Sequence, residues 1–323
     1  MREEMFSAKG QWYKGNLHSH TTNSDGHMTP EQAVDLYRDY GYQFLCLSEH
    51  DKYTDLREQF DCENFIILPG VEASAWLVNK EKTGLIKTHH IHGILGNEKM
   101  QKDAGEQLFH DGERLTPPVY VETWDGLDAA QQLSDFLRRK GCFTTYNHPI
   151  WSRVEMEEVS GLKNIWAVEV YNYGTQIECG EGMDTAFWDS MLRRGTHVNG
   201  FASDDNHNPW KFFDSLGGYV MVRSEELTHE AIVNHLLAGD YYFSAGPEIY
   251  QYGVIDDRVY VECSDAEKIH FICGGLVGSS ETFLAHTGPL RYASHRLREN
   301  SGYVRIECED AKGRRAWTNP IWL

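Results

Sequence analysis

The chain has 323 residues, 41% hydrophobic and 24% charged, a globular balance that excludes disorder, collagen and coiled coil as descriptions of the whole. Its 30 basic against 49 acidic residues give a net charge of -19, which disfavours a broad cationic surface for long nucleic acid or an anionic membrane. No run approaches the roughly 18 apolar residues of a membrane helix, the opening MREEMFSAKGQWYKGN has no apolar leader core, and the seven cysteines include no CxxC pair, so a cytoplasmic protein with reduced, mostly buried thiols is expected.

A β-like run ends in Asn16-Leu17-His18-Ser19-His20. Thr29-Pro30-Glu31 then reads as a helix start, with Thr29 as N-cap, and Ala33, Leu36, Tyr37 and Tyr40 follow at helical spacing up to Gly41. Residues 43–48 (QFLCLS) form a short apolar strand, and a second strand runs over 65–72 and ends on Glu72. A strand follows at 87–95. The polar stretch 97–125 contains Pro117-Pro118 and no period, and is expected to be an insertion or lid-like loop that narrows the mouth of the site. Helix 126–140, strand 142–147, strand 165–171, helix 183–194, strands 197–203 and 218–223 and helix 228–238 continue the α/β alternation. Beyond Gly246 the helical period disappears. Short alternating segments at 258–263, 268–273 and 303–308 predict a small antiparallel β domain, dividing the chain into residues 1–246 and 247–323.

Histidines and carboxylates recur where these strands end. His18 and His20 are two apart and share a strand face, and Asp25 follows in the next loop. Ser48-Glu49-His50-Asp51 closes the QFLCLS strand, Glu72 ends its strand, His90 and His92 share a face, His148 follows CFTTYN, and Asp205 and His207 follow HVNGFAS. Ionisable residues at strand C-termini are what α/β barrels collect into active sites. A single strand-end histidine is more often a hydrogen-bonded core or surface residue than a ligand. The complete set is what shifts the reading. His18, His20, Asp25, His50, Glu72, His90, His148, Asp205 and His207 give nine potential ligands, too many for one tetrahedral ion and suited to two or three ions, zinc, manganese or iron, sharing a bridging carboxylate. There is no GxSxG and no GxxxxGK[ST], so neither a serine hydrolase nor a P-loop competes.

GNLHSHTTNSDGHMTPEQAV, followed by LSEHD, PGVEAS, HIHGIL, NHP and ASDDNH, resembles the PHP (polymerase and histidinol phosphatase) family over roughly residues 12–250. LLAGDYYFSAGPEI resembles the segment that closes the domain in the carbaryl-hydrolase-like branch. The resemblance implies a distorted seven-stranded β/α barrel with a multinuclear metal site. It implies that His18, His20, Asp25, His50, His148, Asp205 and His207 match the family's ligands, and that Glu72 matches its bridging carboxylate. It ranks His90 above His92, although both face the same way. Ser48-Glu49 stands where the family often has Thr-Asp.

The chemistry expected is hydrolysis of a small phosphoester by metal-activated water. His207 or a water on the metal is the candidate proton donor, and Arg153 a candidate grip on phosphate, its alternative being a surface pair with Glu155 or Glu157. Two rivals stand beside this: hydrolysis of a carboxylic or carbamate ester or amide by the same metals, and non-catalytic binding of sugar or protein by the aromatic-rich C-terminal part. A small phosphorylated partner, no membrane partner and a capacity to form oligomers complete the expectation.

Overall fold

The structure, a computed structural model, describes residues 2–6, 9–298 and 300–323. The strands β1 (Arg2–Glu4) and β2 (Gln11–Asn16) lead to helix α1 (Pro30–Asp39). That helix begins where the sequence signals it: Gln32 N donates to Thr29 Oγ1 at 3.3 Å and Thr29 N to Gln32 Oε1 at 2.9 Å, a complete capping box ahead of the buried Ala33, Val34 and Tyr37. Next come β3 (Phe44–Leu47), α2 (Arg57–Phe60), β4 (Ile66–Val78), β5 (Leu85–Leu95), α3 (Glu98–Ala104), β6 (Val119–Val121), α4 (Gly126–Arg139) and β7 (Cys142–Tyr146). The body continues through β8 (Ala167–Asn172), α5 (Tyr173–Cys179), α6 (Thr185–Arg193), β9 (Asn199–Ser203), β10 (Tyr219–Ser224), α7 (His229–Ala238) and β11 (Tyr241–Ser244). Strands alone follow: β12 (Ile249–Ile255), β13 (Arg258–Ala266), β14 (Lys268–Cys273), β15 (Glu281–Leu284), β16 (Leu290–Arg296), β17 (Tyr303–Glu309), β18 (Arg315–Thr318) and β19 (Ile321–Trp322).

This is a mixed α/β fold with a large sheet. The sheet runs in the order β15-β14-β17-β18-β11-β10-β2-β3-β4-β5-β7-β8-β9. The pairs β2–β3, β3–β4, β7–β8 and β8–β9 are parallel, whereas β5 lies antiparallel between β4 and β7. A bridge between Ser19 and Asn206 sets the chain leaving β2 beside the chain leaving β9, with His20 N donating to Asn206 O at 3.1 Å and Asp205 N to His18 O at 3.0 Å. A second sheet, β1-β12-β13-β16, shares an apolar cluster with the large one, in which Phe6, Tyr252, Val259 and Val261 meet Phe271 of β14 and Ile306 of β17. The first described residues thus pair with C-terminal strands, and β18 joins those strands to the body through β11. No helix among the described residues is long and apolar enough to cross a membrane. The seven cysteines are unbridged: Cys46, Cys142, Cys263 and Cys308 are buried, and Cys62 and Cys179 exposed.

Three sequence expectations change. Glu72 does not end its strand: β4 continues through Ala73-Ser74-Ala75-Trp76-Leu77-Val78, because β5 pairs along it from Gly70↔Ile94 to Val78↔Leu85. The 97–125 stretch is partly ordered as α3, capped by Asn97, and as β6, paired to the far end of β4. Helix α5 was hidden by its glycines. Asn172 caps it by accepting from Thr175 N at 2.8 Å, and Gly180 ends it at a left-handed φ of 78°.

Candidate metal centre

His18 and His20 leave β2 fully buried, held between the ends of β3 and β9. Asp25 sits on the turn that follows. Glu49 fastens that turn by accepting from Thr21 N at 3.1 Å and from the hydroxyls of Thr21 and Ser24. His50 follows β3, and its backbone bridges to Glu72 in the middle of β4. On β5, His90 lies opposite Ser74 and His92 opposite Glu72. His148 follows β7, and Asp205 and His207 follow β9. His148 and Asp205 adopt positive φ values of 23° and 51° where the chain turns away from the sheet.

The nine residues meet. Glu72 Oε2 lies 3.2 Å from His18 Nε2, 3.3 Å from His20 Nε2 and 3.2 Å from His50 Nδ1. Its other oxygen, Oε1, lies 3.2 Å from His148 Nε2 and 3.4 Å from His90 Nδ1. Asp205 Oδ1 is 2.9 Å from His18 Nε2 and 3.0 Å from His20 Nε2. Asp25 reaches His50 Nε2 at 3.6 Å and His207 Nε2 at 3.5 Å. The donor atoms fall into four overlapping groups: His20-Asp25-His50-His207, His18-His20-Glu72-Asp205, His50-Glu72-His90 and His18-His148-Glu169. His92 belongs to none. Its Nε2 is 3.8 Å from Glu72 Oε1 and its ring stands edge-on to His18.

Glu169 is the residue the sequence reading missed. It is fully buried on β8 and accepts from His18 Nδ1 at 2.8 Å, His148 N at 3.0 Å and Asn172 Nδ2 at 2.9 Å, as well as from the Ser203 hydroxyl. The signal was there: a lone carboxylate inside the apolar run IWAVEVY has to be paired or functional. A proton held on His18 Nδ1 by Glu169 leaves the Nε2 lone pair facing Glu72 and Asp205.

These residues fit divalent cations. His20 Nδ1, His50 Nδ1, His90 Nδ1, Glu72 Oε2 and Asp205 Oδ1 are buried atoms without a hydrogen-bond partner, despite lying so near one another. Lone pairs that converge without hydrogen-bond geometry are what a shared cation relieves, and each such buried atom left alone costs about 1–3 kcal/mol. The electrostatics agree. Burial opposes charge on His18, His20 and His148, yet the Asp205 and Glu72 carboxylates outweigh it, raising His18 well above its ordinary value, His20 to about 10 and His148 to about 9. Burial likewise opposes ionisation of Glu72 and Asp205, but His18 and its neighbours hold both well below the carboxylate range. Burial and the neighbouring His20 push His50 down to about 3. The cluster calls for positive charge, which protons or metal ions can supply in competition.

A cavity of about 330 Å³ opens onto this cluster, lined by Asp25, His50, His90, His148, Asp205 and His207 together with Trp151, Glu178 and Phe212. No residue of 97–125 lines it, so that segment does not narrow the mouth. Residues 115–118 and Tyr120 border a separate hollow of about 420 Å³ that holds no histidine. Arg153 is exposed and outside the histidine cavity, and its Nη1 donates to Glu181 at 2.8 Å rather than to Glu155 or Glu157.

No family model and no curated protein matches the chain. Among solved structures it is similar to a two-domain protein of Bacteroides vulgatus containing a predicted PHP-like metal-dependent phosphoesterase, with 12% identity, 100% of this chain and 99% of that one covered, and a TM-score of 0.44. It is also similar to an amidohydrolase from Chromobacterium violaceum with bound sulfate and no metal, with 13% identity, 70% and 96% coverage, and a TM-score of 0.39. Likeness at this level carries no conclusion about fold or activity.

Proposed function

We propose that this protein is a metal-dependent hydrolase of small phosphoesters, holding two or three divalent ions, zinc, manganese or iron, through His18, His20, Asp25, His50, Glu72, His90, His148, Asp205 and His207. One observation carries the reading: the two oxygens of Glu72 face two different sets of histidine nitrogens, the posture of a carboxylate shared between ions. Divalent ions in such a site supply a nucleophile from water at neutral pH and neutralise charge that builds on the phosphoryl oxygens.

The chain's own residues orient this site. Glu169 fixes His18, and Ser152 Oγ lies 3.2 Å from His148 Nδ1. Asp204 accepts from the amides of Leu216, Gly217 and Gly218, and Asp214 from those of His207 and Asn208, which sets the loop after β9. The two roles considered for His207 compete for one atom: its Nδ1 is 3.0 Å from the Asp205 carbonyl, leaving Nε2 either to bind an ion or to deliver a proton. In this reading the seven strands from β2 to β9, without β6, form a distorted barrel. Residues 1–246 are the hydrolase domain, with β1 lent to the other sheet, and 247–323 a β domain whose described residues add no ligand.

The test is elemental analysis of the purified protein together with a phosphoester and carboxylester panel. We expect phosphate release that a chelator abolishes and manganese or zinc restores, and Glu72→Ala should lose metal and turnover together. Full metal occupancy and turnover in Glu72→Ala would remove the shared-carboxylate role. Turnover of carboxylesters with no phosphate released would transfer the assignment to the carbonyl-hydrolase rival. The absence of lysine and arginine among the described residues of the cavity wall is the observation that keeps that rival in view.

A further inference from the structure

The wall of the histidine cavity carries chemistry that bond cleavage does not use. Trp151, Phe212 and Pro209 give it apolar surface, and Glu178 and Asp214 give it carboxylates, while no lysine or arginine among the described residues lines it. The Trp151 ring stands edge-on to His148 with centres 5.2 Å apart and tilted to His90 at 5.8 Å, so indole surface begins directly beside the ligand set. Asp214 is committed to backbone amides, but Glu178, exposed on α5, has no partner among the described residues. Two cations flank the wall without entering it: Arg153 is turned to Glu181, and Lys211, next to Phe212 in sequence, is exposed. Just outside, Trp210 is 93% exposed and lies edge-on to His27, a residue of the wall.

A substrate whose second half carried phosphate or carboxylate would place that charge against carboxylates and the negative faces of rings, with no guanidinium or ammonium among the described residues of the wall itself to receive it. An uncharged ring would instead gain apolar area and ring-edge contacts there. Resting on the phosphoester reading above, we propose that the group leaving the phosphoryl centre carries an aromatic ring without negative charge, seated against Trp151 and Phe212. Both are specificity residues here, because they touch the leaving group and not the reacting atoms.

The experiment compares benzyl with ethyl phosphate on the manganese- or zinc-loaded enzyme. The two leaving alcohols are similarly basic, so a rate difference reports recognition and not leaving-group chemistry. Calorimetric binding of benzylphosphonate against ethylphosphonate gives a second readout that needs no turnover. Benzyl should win by roughly tenfold in kcat/KM and in affinity, the worth of one ring buried against another. A para carboxylate on the ring should cancel most of that gain. Trp151→Ala should bring the benzyl-to-ethyl ratio near one while Trp151→Phe keeps most of it, and Phe212→Ala gives an independent reduction should the first variant fold poorly. Equal kcat/KM and equal affinity for the two series, or full tolerance of the carboxylate, would overturn the proposal. If no phosphate is released and neither phosphonate binds, the acetates of the same two alcohols decide. A benzyl preference there removes the phosphoester reading and keeps the ring site, and no preference removes both.

Discussion

Replacing Glu169 by glutamine keeps size and shape and changes only charge and donor pattern, so its effect can be worked from the contacts. The carboxylate accepts on both oxygens: Oε1 takes His18 Nδ1 and the Ser203 hydroxyl, and Oε2 takes His148 N and Asn172 Nδ2. An amide offers one acceptor. With its oxygen toward His18, its NH₂ confronts two donors, the His148 amide and Asn172; flipped, it confronts His18 and must turn the Ser203 hydroxyl. Either way two charge-assisted bonds are lost in a fully buried site, at about 1.5–3 kcal/mol each. Because His18 is then free to change tautomer, metal affinity should fall by about 10–100-fold, the usual cost of removing a carboxylate that orients a ligand histidine. The assay is competition with a chromophoric chelator, run beside thermal unfolding of the chelated protein. Wild-type affinity in Glu169→Gln would refute the orienting role. Weakened unfolding with unchanged affinity would reduce Glu169 to a structural residue.

His90→Ala should lower the metal content per chain, whereas His92→Ala should retain it and lose stability instead, since His92 is buried beside His18 outside every ligand group; elemental analysis showing the larger metal loss from His92→Ala would exchange the two roles. Asp184 predicts a pH effect. Burial pushes its carboxyl up to about 8, against the amide of Ile150 that donates to it at 3.0 Å. The unfolded chain then ionises first, so stability of the chelated protein should fall with rising pH between the ordinary carboxylate value of 3.8 and about 8, by up to ~1.4 kcal/mol per pH unit. Asp184→Asn should flatten that slope and stabilise most at pH 8, and identical denaturant midpoints at pH 8 would contradict it. Arg305 on β17 is buried and pairs with Asp189 of α6 at 2.8 Å, so Asp189→Ala should cost about 3–5 kcal/mol in urea unfolding; a loss under ~1 kcal/mol would show that Glu307 alone satisfies the guanidinium.

The candidate set was legible because its members are ionisable residues inside or just beyond apolar strands. His18, His20 and His148 follow runs such as CFTTYN, and their spacing fixes which side of the chain they face. Glu169 was not read because strand periodicity treats IWAVEVY as a buried element and says nothing of what its one charge meets 151 residues away in sequence. The extent of β4 escaped for a related reason: its second half is held by β5, a tertiary pairing, and not by its own alternation. Arg153 shows the converse. Five positions from His148 in sequence, it leaves the cavity because a left-handed residue, its own φ being 60°, redirects the chain toward Glu181.

The site itself has two physical halves, and the fold explains the division. Glu72 and His90 lie inside paired strands, and His18, His20 and Asp205 are clamped by the Ser19–Asn206 bridge, so these groups are buried and held on both sides by backbone. Asp25, His50 and His207 ride on connections, and their side chains are 56%, 25% and 28% exposed. An ion among His18, His20, Glu72 and Asp205 would therefore be shielded from water, where each charge counts for more. One among His20, Asp25, His50 and His207 would face the cavity, where a substrate oxygen could reach it. His20 belongs to both groups and Glu72 connects the inner group to His90 and His148, so the structure couples a rigid inner anchor to a solvent-facing outer position through two buried side chains. That arrangement suits a centre in which one position holds the geometry and the other meets the reactant.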